Sequence, residues 1–239
     1  LVGVEALVRW RHPTLGRIPP SQFIPLAEES GLINAVGEWI MITACREAVE
    51  IRNNLGKDIF VAVNVSARQF TSNRPQLVEV VRRALERSGL PPDRLELEIT
   101  ESTLMDNVED AITIMRTIKD MGLSIAIDDF GTGYSSISYL RKYPFTTLKI
   151  DRSFVNDLLD DKDDETLVRS VIAMAQGMGL AIIAEGVETF DQYHLLEDAQ
   201  CSMMQGYLFS RPVPADDFQQ LLVSHRQMSD LLVFEESMG

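Results

Sequence analysis

The sequence predicts one α/β domain of the (β/α)8, TIM-like barrel type, and three observations carry that expectation. Short apolar runs of strand length alternate with longer helical patterns, as in successive parallel βα units. A length of 239 residues suits an undivided barrel. Polar residues also recur at the C-terminal ends of the apolar runs, where such barrels gather their functional groups.

Residues 1–7 read as a strand with one carboxylate, Glu5, near its end. Residues 8–13 begin a loop that Pro19 and Pro20 close. Ser21 is expected to cap a helix through Glu29. A second helix is expected over about 32–55, with Val36, Ile40, Ala44 and Ala48 facing the core. Residues 59–65 form the next apolar run, interrupted by Asn64. A helix over 75–88 follows, stopped by Gly89 and the Pro91-Pro92 pair.

Residues 95–100 read as another strand, alternating Leu95, Leu97 and Ile99 with Glu96, Glu98 and Thr100, with Glu101 just beyond. Residues 107–122 read as a helix with Ile112, Met115 and Ile118 on one side and Gly122 as terminator. The run 123–127 has the pattern of a strand buried on both faces, and it ends in Asp128 and Asp129 followed by the glycine-containing stretch 130–136. A helix near 135–142 leads to a short strand at 147–151 with Lys149 inside it. The acidic segment 157–165 reads as a solvated loop. A helix over 166–177, a strand over 180–184, a helix over 190–199, a last strand near Gln205 and an amphipathic helix from Asp216 complete the chain.

These are seven strands, one short of a closed barrel. Leu1 is not an initiator methionine and the chain opens inside a strand. Residues 1–239 are therefore expected to be a single domain, N-terminally incomplete and taken from a longer multidomain polypeptide, with the eighth strand before Leu1.

Composition narrows the function classes. A net charge of −14 argues against a polymeric nucleic acid partner. It leaves room for a small anionic ligand, because bound divalent cations reverse the local field. No apolar run reaches the roughly 20 residues that span a bilayer, and no stretch of this sequence reads as a signal peptide, so no membrane contact is expected of this domain. Cys45 and Cys201 are the only cysteines, which fits a reducing, cytoplasmic compartment and no thiolate zinc site.

Glu5, Asn64, Glu98, Asp128 with Asp129, Lys149, Glu185 with Glu188, and Gln205 each fall at or near the end of a strand. An unpaired polar group buried there costs about 1–3 kcal/mol, so a succession of them points to a site. An isolated Asp-Asp-Phe-Gly would read as a helix cap and a turn. In this company the acids and the amide offer hard oxygen ligands suited to Mg²⁺ or Mn²⁺. Two such cations can clamp a phosphoryl group and acidify a water. Lys149 supplies a positive donor beside them, and Glu185 and Glu188 could ligate or take a proton. A Schiff-base lysine is the rival use of Lys149, but it needs a lowered pKa that surrounding carboxylates oppose.

The motifs Glu5-Ala6-Leu7 with Val8-Arg9-Trp10, Asn64-Val65-Ser66, Glu98-Ile99-Thr100-Glu101, the run 128–133, Leu148-Lys149-Ile150-Asp151, Glu185-Gly186-Val187-Glu188 and Gln205-Gly206-Tyr207 stand in the order found in EAL domains. The chain resembles that family of cyclic di-GMP phosphodiesterases from Leu1 to about Pro214. The resemblance implies a barrel with one antiparallel strand, expected before Leu1, and hydrolysis of cyclic di-GMP to linear pGpG with two Mg²⁺ or Mn²⁺ ions. It further implies that Glu5, Asn64, Glu98 and Asp128 hold one ion, and that Asp128, Asp129 and Glu185 serve the second. Lys149 would orient the water, with Glu185 as ligand or general base. Glu188 and Gln205 would support them. Arg9, Gln205, Arg211 and Pro212 would contact substrate, and Glu101 would steady the loop 130–136. A homodimer and an upstream sensory or GGDEF-type domain are implied as partners. A receptor that binds cyclic di-GMP without cleaving it is the alternative from another class.

Overall fold

The computed structural model describes residues 1–71, 76–101, 108–131 and 140–224. Its centre is a seven-stranded sheet: β1 (Gly3–Ala6), β4 (Phe60–Asn64), β5 (Leu95–Thr100), β6 (Ser124–Phe130), β7 (Thr147–Ile150), β8 (Ala181–Glu185) and β9 (Met203–Gln205), paired in that order. Every pairing is parallel. This is the TIM-like α/β fold, and the antiparallel strand expected before Leu1 is none of these seven.

Helices among the described residues lie between the strands: α1 (Pro20–Glu29), α2 (Ile33–Leu55), α3 (Ala67–Thr71), α4 (Gln76–Ser88), α5 (Val108–Asp120), α6 (Arg152–Asn156), α7 (Lys162–Gly177) and α8 (Phe190–Asp198), while residues 132–139 of the β6–β7 connection lie outside the described residues. The last helix among the described residues, α9 (Ala215–Ser224), follows β9 and contributes Phe218 and Leu222 to a small cluster with Ile51 and Ile59. Strand parity divides the residues into two sets. Val61, Val63, Leu95, Leu97, Ile99, Ile125, Ile127, Leu148, Ile150, Ile182 and Ala184 join one large core with the helices. The alternate positions line the sheet's other face: Ala62 and Asn64, Glu96 and Glu98, Ala126 and Asp128, Thr147 and Lys149, Ile183 and Glu185. That polar-ended face carries the site.

Four local expectations need correction. Residues 10–18 are not simply a loop but an antiparallel hairpin, β2 (Trp10–His12) with β3 (Gly16–Ile18). Its strands are three residues long and mostly polar, too short to show a hydrophobic period. Ser21 does not cap α1; the helix starts at Pro20, with Pro19 extended before it and no side-chain cap, because proline's fixed φ already suits the first helical turn. The buried residues of α2 are Ile33, Gly37, Met41, Ile42, Ala44, Cys45, Ala48 and Ile51, so Ala44 and Ala48 face the core as expected, partly buried Ile40 packs against it, and Val36 is only partly buried. The acidic stretch is not all loop. Asp161 accepts from the Asp163 N–H as an N-cap, and Asp163, Asp164 and Glu165 form the first turn of α7, where negative charge meets the positive end of the helix dipole.

The expectation for a helix near 135–142 falls mostly on residues outside those described, as does most of the loop 130–136. Both cysteines are buried, as their apolar character implies.

Candidate active site

Lys149 is the centre of the site, and the strand pattern puts it there. It is the inward-facing residue of β7 nearest the strand's C-terminal end, and only 1% of it is exposed. Its ammonium lies 2.6 Å from Glu98 Oε1, 2.6 Å from Glu185 Oε1, 3.2 Å from Asp128 Oδ1 and 4.0 Å from Glu5 Oε2. Four carboxylates from β1, β5, β6 and β8 thus face one ammonium. Burial disfavours the charge on Lys149, but Glu98, Glu5, Glu185 and Asp128 together raise its pKa well above the ordinary lysine value.

The amides complete the frame. Asn64 Nδ2 donates to Glu5 Oε1 at 2.8 Å and to Glu98 Oε2 at 3.0 Å, while Gln205 Nε2 donates to Glu5 Oε2 at 2.7 Å. The Gln205 contact joins β9 to β1, the two edges of the sheet. The sheet is therefore curled far enough for its first and last strands to meet through side chains.

One ammonium cannot neutralise four acids, and the remaining acids respond to burial. Burial pushes Glu98 well above its usual range despite Lys149, with Glu5 and Asp128 adding to the rise. Burial likewise pushes Glu185 up to about 7, opposed by Lys149 and aided by Asp128 and Glu5. Glu5 behaves differently. Burial would raise it, but Lys149 and the donors from Gln205 and Asn64 hold it below its usual value.

Asp128 and Asp129 are brought to one side by a defect in the sheet. Pairing runs Ala126 to Thr147 and Ile127 to Leu148, then resumes at Phe130 with Ile150. β6 therefore spends two residues against one of β7, a bulge. Asp129 sits at φ 55, in the left-handed region that aspartate tolerates better than most residues. In a regular strand neighbouring side chains point to opposite faces. The bulge instead leaves Asp128, Asp129 and Glu185 with ligand oxygens within 4.8 Å of one another.

Burial, then Asp128 and Asp151, raises Asp129. Asp151 shares a hydrogen bond with Asp129 and also caps α6 by accepting from the Ser153 N–H at 2.9 Å.

The trio Asp128, Asp129 and Glu185 can hold a divalent cation: three hard oxygens converge, and part of their mutual repulsion is unrelieved by Lys149. Glu5, Asn64, Glu98 and Asp128 are also brought together, though in this arrangement through Lys149 and the Asn64 N–H donors. The Oδ1 of Asn64 is the atom that could ligate. A cation must compete with the proton on Glu185, so Mn²⁺ binding should tighten as pH rises through about 7 and release protons. Calorimetry in two buffers of different ionisation enthalpy measures that release; identical apparent enthalpies would contradict it. Without metal the sign reverses for stability. Folded Glu185 keeps its proton to a higher pH than the unfolded chain, so its contribution becomes less favourable as pH climbs from the usual carboxylate range through about 7.

None of the other expected residues enters the ion pairs or hydrogen bonds described above. Glu188 is exposed in the turn after β8, outside the cluster's hydrogen bonds. Arg9 is exposed beyond β1 and donates to Val8 O at 2.9 Å. Arg211 and Pro212 are exposed after β9, the guanidinium stacked 4.3 Å from the centre of the Tyr207 ring. Glu101 is buried, with no hydrogen-bond partner for either carboxylate oxygen among the described residues.

Sequence reasoning passed over two groups. Glu96 is buried one inward position below Glu98 and accepts from Thr147 Oγ1 at 2.6 Å. Its two-residue spacing from Glu98 was the available signal. Asp151 stood in a quoted motif, yet its contact with Asp129 depends on the bulge.

Comparison with known proteins agrees with this geometry. The family model described as "EAL domain" matches residues 1–212. The chain is 46% identical over 224 residues to the bifunctional diguanylate cyclase/cyclic di-GMP phosphodiesterase MucR of Pseudomonas aeruginosa, covering 94% of this chain and 32% of MucR. It is 44% identical over 223 residues to the cyclic di-GMP phosphodiesterase NbdA of the same organism, covering 93% of this chain and 28% of NbdA. The chain thus spans about a third or less of these relatives. The solved structure of the PaMucR phosphodiesterase in complex with c-di-GMP superposes with a TM-score of 0.86 at 46% identity, covering 91% of this chain and 87% of that one. With acids and amides from six strand ends gathered about a lysine on the seventh, and the family model matched over residues 1–212, this chain belongs to the EAL domain family.

Proposed function

We propose that this domain hydrolyses one phosphodiester bond of cyclic di-GMP to give linear pGpG, using Mg²⁺ or Mn²⁺. The observation that carries the reading is the buried Lys149 held among Glu98, Glu185 and Asp128, beside the converging oxygens of Asp128, Asp129 and Glu185. The names of MucR and NbdA and the c-di-GMP complex of PaMucR support it.

Bound divalent cations would polarise the phosphoryl oxygens and lower the pKa of a water. Asp128, Asp129 and Glu185 would hold one, and Glu5, Asn64, Glu98 and Asp128 another. Lys149, locked in its charged form, donates to the water or to a phosphoryl oxygen and orients it. Glu185, pushed up to about 7 before a cation binds, would give up its proton on ligation. Gln205 and Asn64 hold Glu5 in one orientation. Arg9, Arg211, Pro212 and Glu188 are exposed in the segments that follow β1, β9 and β8, and in this reading they would meet the nucleotide.

Two further parts of the reading concern the whole protein. Association as a homodimer is one. The other is an upstream sensory or GGDEF-type domain, in keeping with the two activities in MucR's name. No helix among the described residues is long and apolar enough to cross a membrane.

The Schiff-base use of Lys149 is disfavoured by its raised pKa. A receptor without turnover is separated by assay. Wild type should release pGpG only with Mg²⁺ or Mn²⁺, and Glu5→Ala should lose about 10²-fold in rate, since it frees the Asn64 and Gln205 amides together. Binding without product, or equal rates for the two proteins, would overturn the reading.

A further inference from the structure

The two segments that carry the converging carboxylates, the end of β6 and the end of β8, both rest on the short helix α6. Gly131 lies so close to Phe154 that a Cβ there would come within 2.8 Å of the ring. Gly186, at φ +74, lies so close to Arg152 that a Cβ would come within 2.6 Å of the Arg152 Cβ. What ties the β8 turn down on this helix is Gln192, from the first turns of α8.

Gln192 is buried, and all of its side-chain polar atoms are engaged. Its Oε1 accepts from the Glu188 N–H at 2.8 Å and from the Thr189 N–H at 3.0 Å, while Nε2 donates to the Val155 carbonyl of α6 at 3.0 Å. One amide thus satisfies three backbone groups on two different segments. The first is the turn that begins with Glu185; the second is the helix whose cap, Asp151, hydrogen-bonds Asp129. The Thr189 N–H bond is also half of a capping box, whose other half is Gln192 N–H donating to Thr189 Oγ1 at 3.2 Å.

We infer that Gln192 is a positioning residue that sets the spacing of Glu185 from Asp128 and Asp129 by clamping the β8 turn to α6. The inference rests on the proposed metal site, but metal binding can be read without turnover. An amide is the side chain required, because the site needs an acceptor and a donor at once. A carboxylate can serve the two N–H groups but not the Val155 carbonyl. A methionine of similar length serves neither.

The experiment is a Mn²⁺ titration by electron paramagnetic resonance on wild type, Gln192→Glu, Gln192→Met and Thr189→Ala. Thr189→Ala loosens the α8 cap while leaving the clamp in place. Activity and melting temperature are measured in parallel. Gln192→Met should weaken Mn²⁺ binding about tenfold and lower kcat at a given Mn²⁺ concentration. Gln192→Glu should fall between it and wild type, and Thr189→Ala should lower the melting temperature with Mn²⁺ affinity unchanged. If Gln192→Met melts earlier but binds Mn²⁺ as wild type does, the residue is merely structural and the inference fails. Should Gln192→Met not fold, Gln192→Glu decides: wild-type Mn²⁺ affinity in that variant overturns the clamp. Failure of wild type to bind Mn²⁺ at all would count against the metal site instead.

Discussion

Replacing Lys149 with methionine should reduce cyclic di-GMP hydrolysis by about 10³-fold, and it should make the fold depend on metal. Both effects have one cause. The ammonium is a donor aimed into the site, and losing such a donor typically lowers turnover by about 10²–10³-fold. Among the described residues it is also the sole cation paired with Glu98, Glu185, Asp128 and Glu5. Removing one partner of a buried ionic set leaves the others uncompensated, which typically costs about 3–5 kcal/mol. Uptake of protons by Glu98 and Glu185, already raised in wild type, would offset part of that.

The metal-free variant should therefore melt well below wild type in chelator, more so at pH 8 than at pH 6. Added Mn²⁺ should restore more of its stability than it adds to wild type. Calorimetric scans with chelator and with Mn²⁺ measure this. A variant that melts with wild type in chelator would show that the cluster does not need its lysine.

Gly206→Ala should be the most destabilising single methyl addition among the described residues. A Cβ at Gly206 would lie 2.1 Å from Val187 O and 2.3 Å from Val187 N. Those are backbone atoms fixed by their own bonds, with Val187 N–H donating to Gln205 O at 3.0 Å and Leu208 N–H donating to Val187 O at 3.0 Å. Nothing flexible can give way, so the end of β9 must separate from the turn after β8. Overpacking of this kind costs about 3 kcal/mol or more.

The change also displaces Gln205, whose amide holds Glu5, so activity should fall with stability. Gly16→Ala is the comparison. That glycine has φ +74 but open space around it, and an alanine there should cost only about 1–2 kcal/mol of left-handed strain. Urea unfolding of both variants is the measurement. Equal losses would mean that β9 and the β8 turn are not in contact as described.

The polar strand ends were legible because an apolar run has no other reason to finish in a carboxylate or amide. Glu5, Asn64, Glu98, Asp128, Lys149, Glu185 and Gln205 all meet as that pattern implies. Glu188 shared the same signal, being near a strand end, yet its side chain is exposed. Position along a strand says which end a residue occupies, but the turn that follows decides where it points. The β2–β3 hairpin and the first turn of α7 were missed for a different reason. Each is held by backbone bonds or a cap rather than by a buried apolar stripe, so hydrophobic periodicity is silent there.

Residue order alone established the alternation of strands and helices, the family, and the inventory of acids, amides and lysine at one mouth of the barrel. Those properties are local or cumulative along the chain: period, length, and which side chain ends each run. Contacts between segments distant in sequence decided the rest. The bulge that turns Asp129 to the same side as Asp128 comes from the mismatch between β6 and β7. The lowered pKa of Glu5 beside the raised pKa of Glu185 depends on which donors reach each acid. The Gln192 clamp joins residues 37 positions apart. Such contacts arise from how strands pair and helices pack, and those distances exist only once the chain has folded.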